Sequence, residues 1–84
     1  MNREQLIVRA LLETLANHEG EAVLDTILHA EINLRVSPNA LLTEFDASVK
    51  FAEGQGWIVG VRTVFKKIKW RVTDTGRAAQ LENA

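Results

Sequence analysis

The sequence predicts one mostly helical α+β domain over residues 1 to 84: three helices, a two-stranded hairpin and a short last helix. Apolar residues recur at helical spacing three times before residue 55, and between residues 57 and 73 they switch to alternation. The stretch "TDTGRAAQLE" then returns to a helical pattern. A chain with 46% hydrophobic and 25% charged residues has the composition of a folded domain rather than a disordered segment. At this length folding buries only about 60 to 65% of the surface exposed by the unfolded chain, so the core is small.

In the first helix, residues 3 to 17, Leu6, Ile7, Ala10, Leu11 and Leu15 keep helical spacing and Gln5, Arg9 and Glu13 form a narrow polar stripe. With Val8 and Leu12 flanking that stripe, the helix is apolar over more than half its circumference. Such a helix is either sandwiched within the domain or shared with a second subunit, and this is the ground for expecting a homodimer that also uses the last helix. Gly20 in "NHEGE" stops it. A second helix from Glu21 to Ile32 is expected to bury Val23, Leu24, Ile27 and Leu28 and to expose Glu21, Asp25 and His29.

The third helix begins near Pro38, with Ser37 as N-cap and a first-turn proline, or at "TEFD", with Thr43 as the cap. From either start Leu41, Phe45, Val49 and Ala52 form its core stripe, and Asn39, Asp46, Lys50 and Glu53 share an outward flank. Phe51 projects from another outward side, where it packs on the first or last helix or meets a partner. "EGQGW" ends the helix. Then "GWIVGVRT" and "KIKWRVT" read as antiparallel strands joined by "VFK". Pairing Val61 with Trp70 and Val59 with Val72 places Arg62 opposite Lys69. All basic groups then share the outer face, and Val59, Val61, Ile68, Trp70 and Val72 form the inner one. Thr73 caps the last helix. Alternation assigns Trp70 to the core and leaves Trp57, at the strand start, open between burial and a stacking role.

Net charge is only -1, yet it is unevenly spread. Residues 57 to 73 hold Arg62, Lys66, Lys67, Lys69 and Arg71 and no acid, whereas residues 1 to 36 carry three basic and six acidic side chains. One basic patch sits on an acidic body. Two uses and one protective role fit it: contact with nucleic acid, contact with an acidic protein, or lysines guarding a sheet edge. Val64 and Phe65 at the hairpin tip enter a minor groove, meet a protein, or fold back.

Other chemistry finds little support. Without cysteine there is no disulfide or thiolate metal site, which fits a reducing compartment, and the cytoplasm is expected. Arg3, Glu4, Arg9 and Glu13 interrupt the first apolar run, and no segment approaches the roughly 18 apolar residues of a membrane span, so no membrane partner is expected. His18 and His29 lie outside zinc-ligand spacings, and no cofactor is expected. Ser37 reads as a cap and Ser48 lies mid-helix. Gly54 and Gly56 mark a helix end rather than a phosphate loop. An enzyme is not expected.

"AEGQGWI" closing the third helix, followed after a hairpin by "WRVTDTGRAA", resembles MarR-like and PadR-like regulators of the winged helix-turn-helix superfamily. Element order matches along the whole chain, and the motif covers residues 52 to 79. The resemblance implies a non-enzymatic protein that binds double-stranded DNA in transcription regulation, its third helix in the major groove and its wing on the flanking backbone. Carried over by position, wing contacts would come from Arg62, Lys66, Lys67, Lys69 and Arg71, and groove contacts from Asn39, Thr43 and Lys50. The acidic balance around the third helix makes it the weaker contributor. Winged helices also serve as protein-interaction modules in larger assemblies. In that alternative Phe51, Val64 and Phe65 would touch the partner and the basic wing would meet an acidic protein.

Overall fold

Asn2 fixes where the first helix begins. Its Oδ1 accepts from the Gln5 N–H at 2.9 Å, and Gln5 Oε1 accepts from the Asn2 N–H at 3.1 Å, a reciprocal cap on α1 (Arg3–Asn17). The computed structural model describes residues 1–82, in which β1 (Val23–Leu24), α2 (Asp25–Ile32), α3 (Leu42–Gly54), β2 (Ile58–Arg62), β3 (Ile68–Val72) and α4 (Asp74–Glu82) follow. The frayed end expected after the last helix lies outside the described residues. The described residues thus form a small, mostly helical α+β fold with four helices and a three-stranded antiparallel sheet of order β1-β3-β2.

Helix α1 is the centre of the core. It buries Ile7, Val8, Ala10, Leu11, Leu12 and Leu15 against α2, α3, α4 and β3. These are six of the eighteen buried apolar residues among those described, and each fully buried Val, Leu or Ile contributes roughly 1.5 to 3 kcal/mol. Neighbours within one chain cover this apolar width except at Leu6, which is 43% exposed, so the width by itself does not call for a second subunit.

The second helix starts later than its periodicity predicts. Glu19 and Gly20, both with positive φ, reverse the chain, and Val23 and Leu24 then pair with Trp70 and Lys69 as a strand. Two strand residues are too few to show alternation, and their apolar character blends into the helical stripe that follows. As a result α2 buries Leu28 and Ile32 and leaves Ile27 exposed, while Asp25 and His29 are half-buried rather than exposed.

Neither expected start of the third helix occurs. Ser37 and Pro38 lie in a bend, Thr43 lies inside the helix, and Leu41, placed in the core stripe by its spacing, is 66% exposed. Side chains acting at a distance set the start instead. Arg3 Nη2 donates to the carbonyls of Pro38 and Asn39 at 2.8 and 3.1 Å, its Nε donates to Glu44 Oε2 at 3.1 Å, and Glu44 Oε1 accepts from the Leu41 N–H at 3.0 Å. Asn33 Oδ1 accepts from the Ala40 N–H at 2.8 Å, and the His29 ring, stacked on Phe45, bonds to the Ala40 carbonyl at 2.7 Å. A segment without regular structure is therefore pinned from both sides.

The end of α3 matches its sequence signal. Gly56 takes φ +75°, its N–H donates to the Glu53 carbonyl and the Trp57 N–H to the Ala52 carbonyl, a Schellman closure. Trp57 then meets Phe51 edge-on at 5.7 Å, the apolar contact that accompanies this closure. From there Trp57 joins the last helix: its carbonyl accepts from the Thr73 N–H at 2.9 Å, and Thr73 Oγ1 donates to the Gly56 carbonyl at 2.6 Å and accepts from the Gly76 N–H at 3.0 Å. A Cβ on Gly76 would stand 2.1 Å from the Trp57 carbonyl oxygen, so only glycine fits.

The hairpin is paired one residue away from the expected register. Ile58 faces Val72, Gly60 faces Trp70, Val61 faces Lys69 and Arg62 faces Ile68. Ile58, 2% exposed, sets the parity, so Val59 and Val61 point outward rather than into the core. Gly60 occupies the inward position beneath the Trp70 ring, where an added Cβ would lie 3.0 Å from Cζ3. The turn is a three-residue loop in which Lys66 N–H donates to the Thr63 carbonyl and Thr63 N–H to the Lys67 carbonyl, with Lys66 at φ +60°.

Three stability predictions follow from these contacts. Gly76→Ala is expected to destabilise by about 1 to 3 kcal/mol in urea unfolding through overpacking against Trp57. Lys66→Gly is expected to stabilise by about 1 kcal/mol in the same assay, because glycine adopts left-handed backbone without the Cβ penalty. The bonded Arg3 guanidinium and the Leu41 N–H hold the Glu44 carboxyl below the ordinary carboxylate value. A lowered native value means stability present above the ordinary range and lost as pH falls through the lowered one. Glu44→Gln should accordingly be less stable than the parent at neutral pH and converge with it in acid, as read by urea midpoints across pH.

Candidate nucleic-acid interface

The observed register divides the five wing cations between two faces. Lys69 stands beside Val61 and Arg71 beside Val59 on the outward face, whereas Arg62 stands beside Ile68 on the face that carries Trp70. This corrects the expectation of a single basic face. The cause is the parity set by Ile58 and Gly60, which rotates every residue of β2 to the other side. Lys66 and Lys67 belong to the turn region that joins the faces, not to β3. Among the described residues none of the five forms a salt bridge, and all are exposed except half-buried Lys69.

Edge protection accounts for only part of this placement. β3 is flanked on both sides only at Lys69 and Trp70, where β1 pairs with it, so Arg71 and the edge-strand Arg62 sit where a guard against sheet-to-sheet pairing belongs, whereas Lys69 does not.

On the inward side, a groove of about 550 Å³ runs between the hairpin and α3. Arg62, Lys66 and Lys67 line one wall, and Asp46, Lys50 and Glu53 line the other. Trp70 lies at its base, and Trp70 Nε1 donates to Asp25 Oδ1 at 2.7 Å. Sequence reasoning missed Asp25 as a structural partner, because a pairing across 45 residues leaves no local signal. The bond joins the start of α2 to the middle of β3 and fixes the hairpin against the helices.

Of the third-helix residues, Lys50 reaches this groove, and Thr43 is exposed in the first turn of α3. Asn39 does not belong to the helix: it lies in the connecting segment, with its carbonyl bonded to Arg3. Around Lys50 the helix presents more acid than base, so its groove face is negative and the hairpin's is positive.

The three apolar candidates lie in two places. Phe51, 44% exposed, lines a second groove of about 570 Å³ with Trp57, Val8 and Leu12, and its Trp57 contact belongs to the closure of α3. Val64 and Phe65 sit in the hairpin turn at 91% and 81% exposure, so they do not fold back. Trp57 is half-buried and held by its backbone at both ends.

The remaining polar side chains have structural partners or none. His18 Nε2 contacts Glu31 Oε2 at 2.9 Å, and His29 bonds to the Ala40 carbonyl. The buried Thr14 and Ser48 hydroxyls have no hydrogen-bond partner among the described residues. Among the described residues no group of three histidines or carboxylates is placed to hold a metal, and no helix is long and apolar enough to cross a membrane. No family model, curated protein or solved structure matches this chain.

Proposed function

We propose that this chain is a winged helix-turn-helix protein that binds double-stranded DNA without chemistry, as a small transcriptional regulator led by its wing. The observation that carries the reading is the set of five cations on the hairpin, none in a salt bridge among the described residues, with Lys69 on a stretch of β3 paired on both sides, where edge protection is not needed. Element order supports it: a helix closed by Gly56 runs directly into the hairpin, and the hairpin runs directly into a final helix.

The mechanism is backbone attraction first. Lysines and arginines displace counterions from phosphates, and the resulting affinity is largely independent of sequence. Arg62, Lys66 and Lys67 line the hairpin wall of the groove and Lys50 is the one cation lining the α3 wall, so a phosphate chain passing between them would be held chiefly from the hairpin side. Asp46 and Glu53 repel that chain and limit how closely α3 approaches. Thr43 and Lys50 remain the side chains of α3 placed to touch a base edge.

A second reading, a winged-helix module that binds another protein, is favoured by one feature: the groove bounded by Phe51, Trp57, Val8 and Leu12. A partner seated there would meet the Phe51 and Trp57 rings beside Glu4 and Arg9, and its binding would depend less on salt than phosphate contact does.

Fluorescence anisotropy of a labelled random-sequence duplex tests the choice. With four or five phosphate contacts, log affinity should fall against log salt with a slope of about -4. Lys69→Glu/Arg71→Glu should weaken binding and make the slope shallower by about 2. Absence of duplex binding at low salt would overturn the DNA reading and leave the Phe51 groove as the candidate contact.

A further inference from the structure

We infer that Val64 and Phe65 form an apolar wedge that enters a base step of duplex DNA from the minor groove and kinks it, an inference that rests on the DNA reading above. The two side chains are 91% and 81% exposed, and nothing in the turn requires them. The loop is closed by backbone bonds alone, from Lys66 N–H to the Thr63 carbonyl and from Thr63 N–H to the Lys67 carbonyl. Turns of this kind favour Asn, Asp, Ser or Gly, with Gly at the left-handed position. Here a valine and a phenylalanine occupy the apex, and the left-handed position at φ +60° holds Lys66. The backbone strain of the turn lies at Lys66, and the adjoining apolar surface that Val64 and Phe65 leave in water is informative about an outside contact.

The surroundings select the occupant. Arg62, Lys66 and Lys67 flank the two apolar side chains, and residues 57 to 73 hold no acid, so the tip meets a polyanion more readily than an apolar protein surface. A two-stranded ribbon is wider than a minor groove of about 6 Å, so the side chains at the tip, not the hairpin itself, would enter it. The cations nearest the tip, Arg62, Lys66 and Lys67, share one groove wall on the side of α3, so they would meet the phosphates on that side while the phenyl ring enters the base step. Proteins that bend DNA from this groove insert Phe, Leu, Ile, Met or Pro between base steps and kink the duplex by roughly 20 to 90°.

The test uses the full chain and two labelled duplexes, one carrying a donor and acceptor at its ends and one carrying 2-aminopurine. The parent should shorten the end-to-end distance and raise 2-aminopurine fluorescence as it binds. Phe65→Ala should lose both signals while keeping salt-dependent anisotropy, and Phe65→Leu should retain part of both. Because residue 65 is exposed, circular dichroism and the urea midpoint of Phe65→Ala should match the parent. Equal bending by Phe65→Ala would overturn the wedge. Salt-dependent binding by the parent without bending would overturn it too, while leaving backbone binding intact. No duplex binding at low salt would overturn the wedge together with the reading beneath it. Phe65-dependent binding to phosphatidylserine vesicles, with no bending of DNA, would assign the tip to a lipid surface instead.

Discussion

The position of the hairpin depends on the indole of Trp70. Its strand pairs with β1 on one side and β2 on the other, its ring lies over Gly60, and its N–H reaches Asp25 at the start of α2. A two-stranded hairpin alone is at best marginally stable in water. Trp70 makes it part of the core by filling the space that a side chain at position 60 would occupy. The bond to Asp25 then removes the remaining freedom of the hairpin to pivot over α3. A hydrogen bond to a charged group contributes about 1.5 to 3 kcal/mol, comparable with the burial of one aliphatic side chain.

A second joint works at the opposite end of the hairpin. Trp57 closes α3 through its N–H and receives the last helix through its carbonyl, with Gly76 packed against that carbonyl. The end of α3, the start of β2 and the start of α4 thus share one residue. Since the groove wall on α3 and the cations on the hairpin are both anchored there, their spacing is a property of the backbone rather than of flexible side chains.

Local signals carried much of this architecture. The helical periodicity of residues 3 to 17, the glycine closure after residue 54 and the Thr73 cap each involve neighbours within six residues, and each is present in the structure. What the sequence hid was non-local or carried by an absence. The strand Val23–Leu24 exists only because β3 lies beside it, and the start of α3 is set by Arg3 from 41 residues away. The register error has a specific origin: Gly60 has no side chain to announce which face it occupies, and the two valines beside it look like core. Ile58 decides the parity, but it stands at the strand end where a pattern is weakest. The candidate cations were all legible as a cluster, whereas their division between two faces was not.

The separation of charge described above has a consequence at a distance. An acidic body and a hairpin of uncompensated cations make this a strongly dipolar molecule despite a net charge of -1. In the field of any polyanion such a molecule experiences a torque before it experiences contact, and it turns its hairpin forward. The acidic residues would then act as ballast, repelling a polyanion that approaches from another side, through the same side chains that make the overall charge nearly neutral.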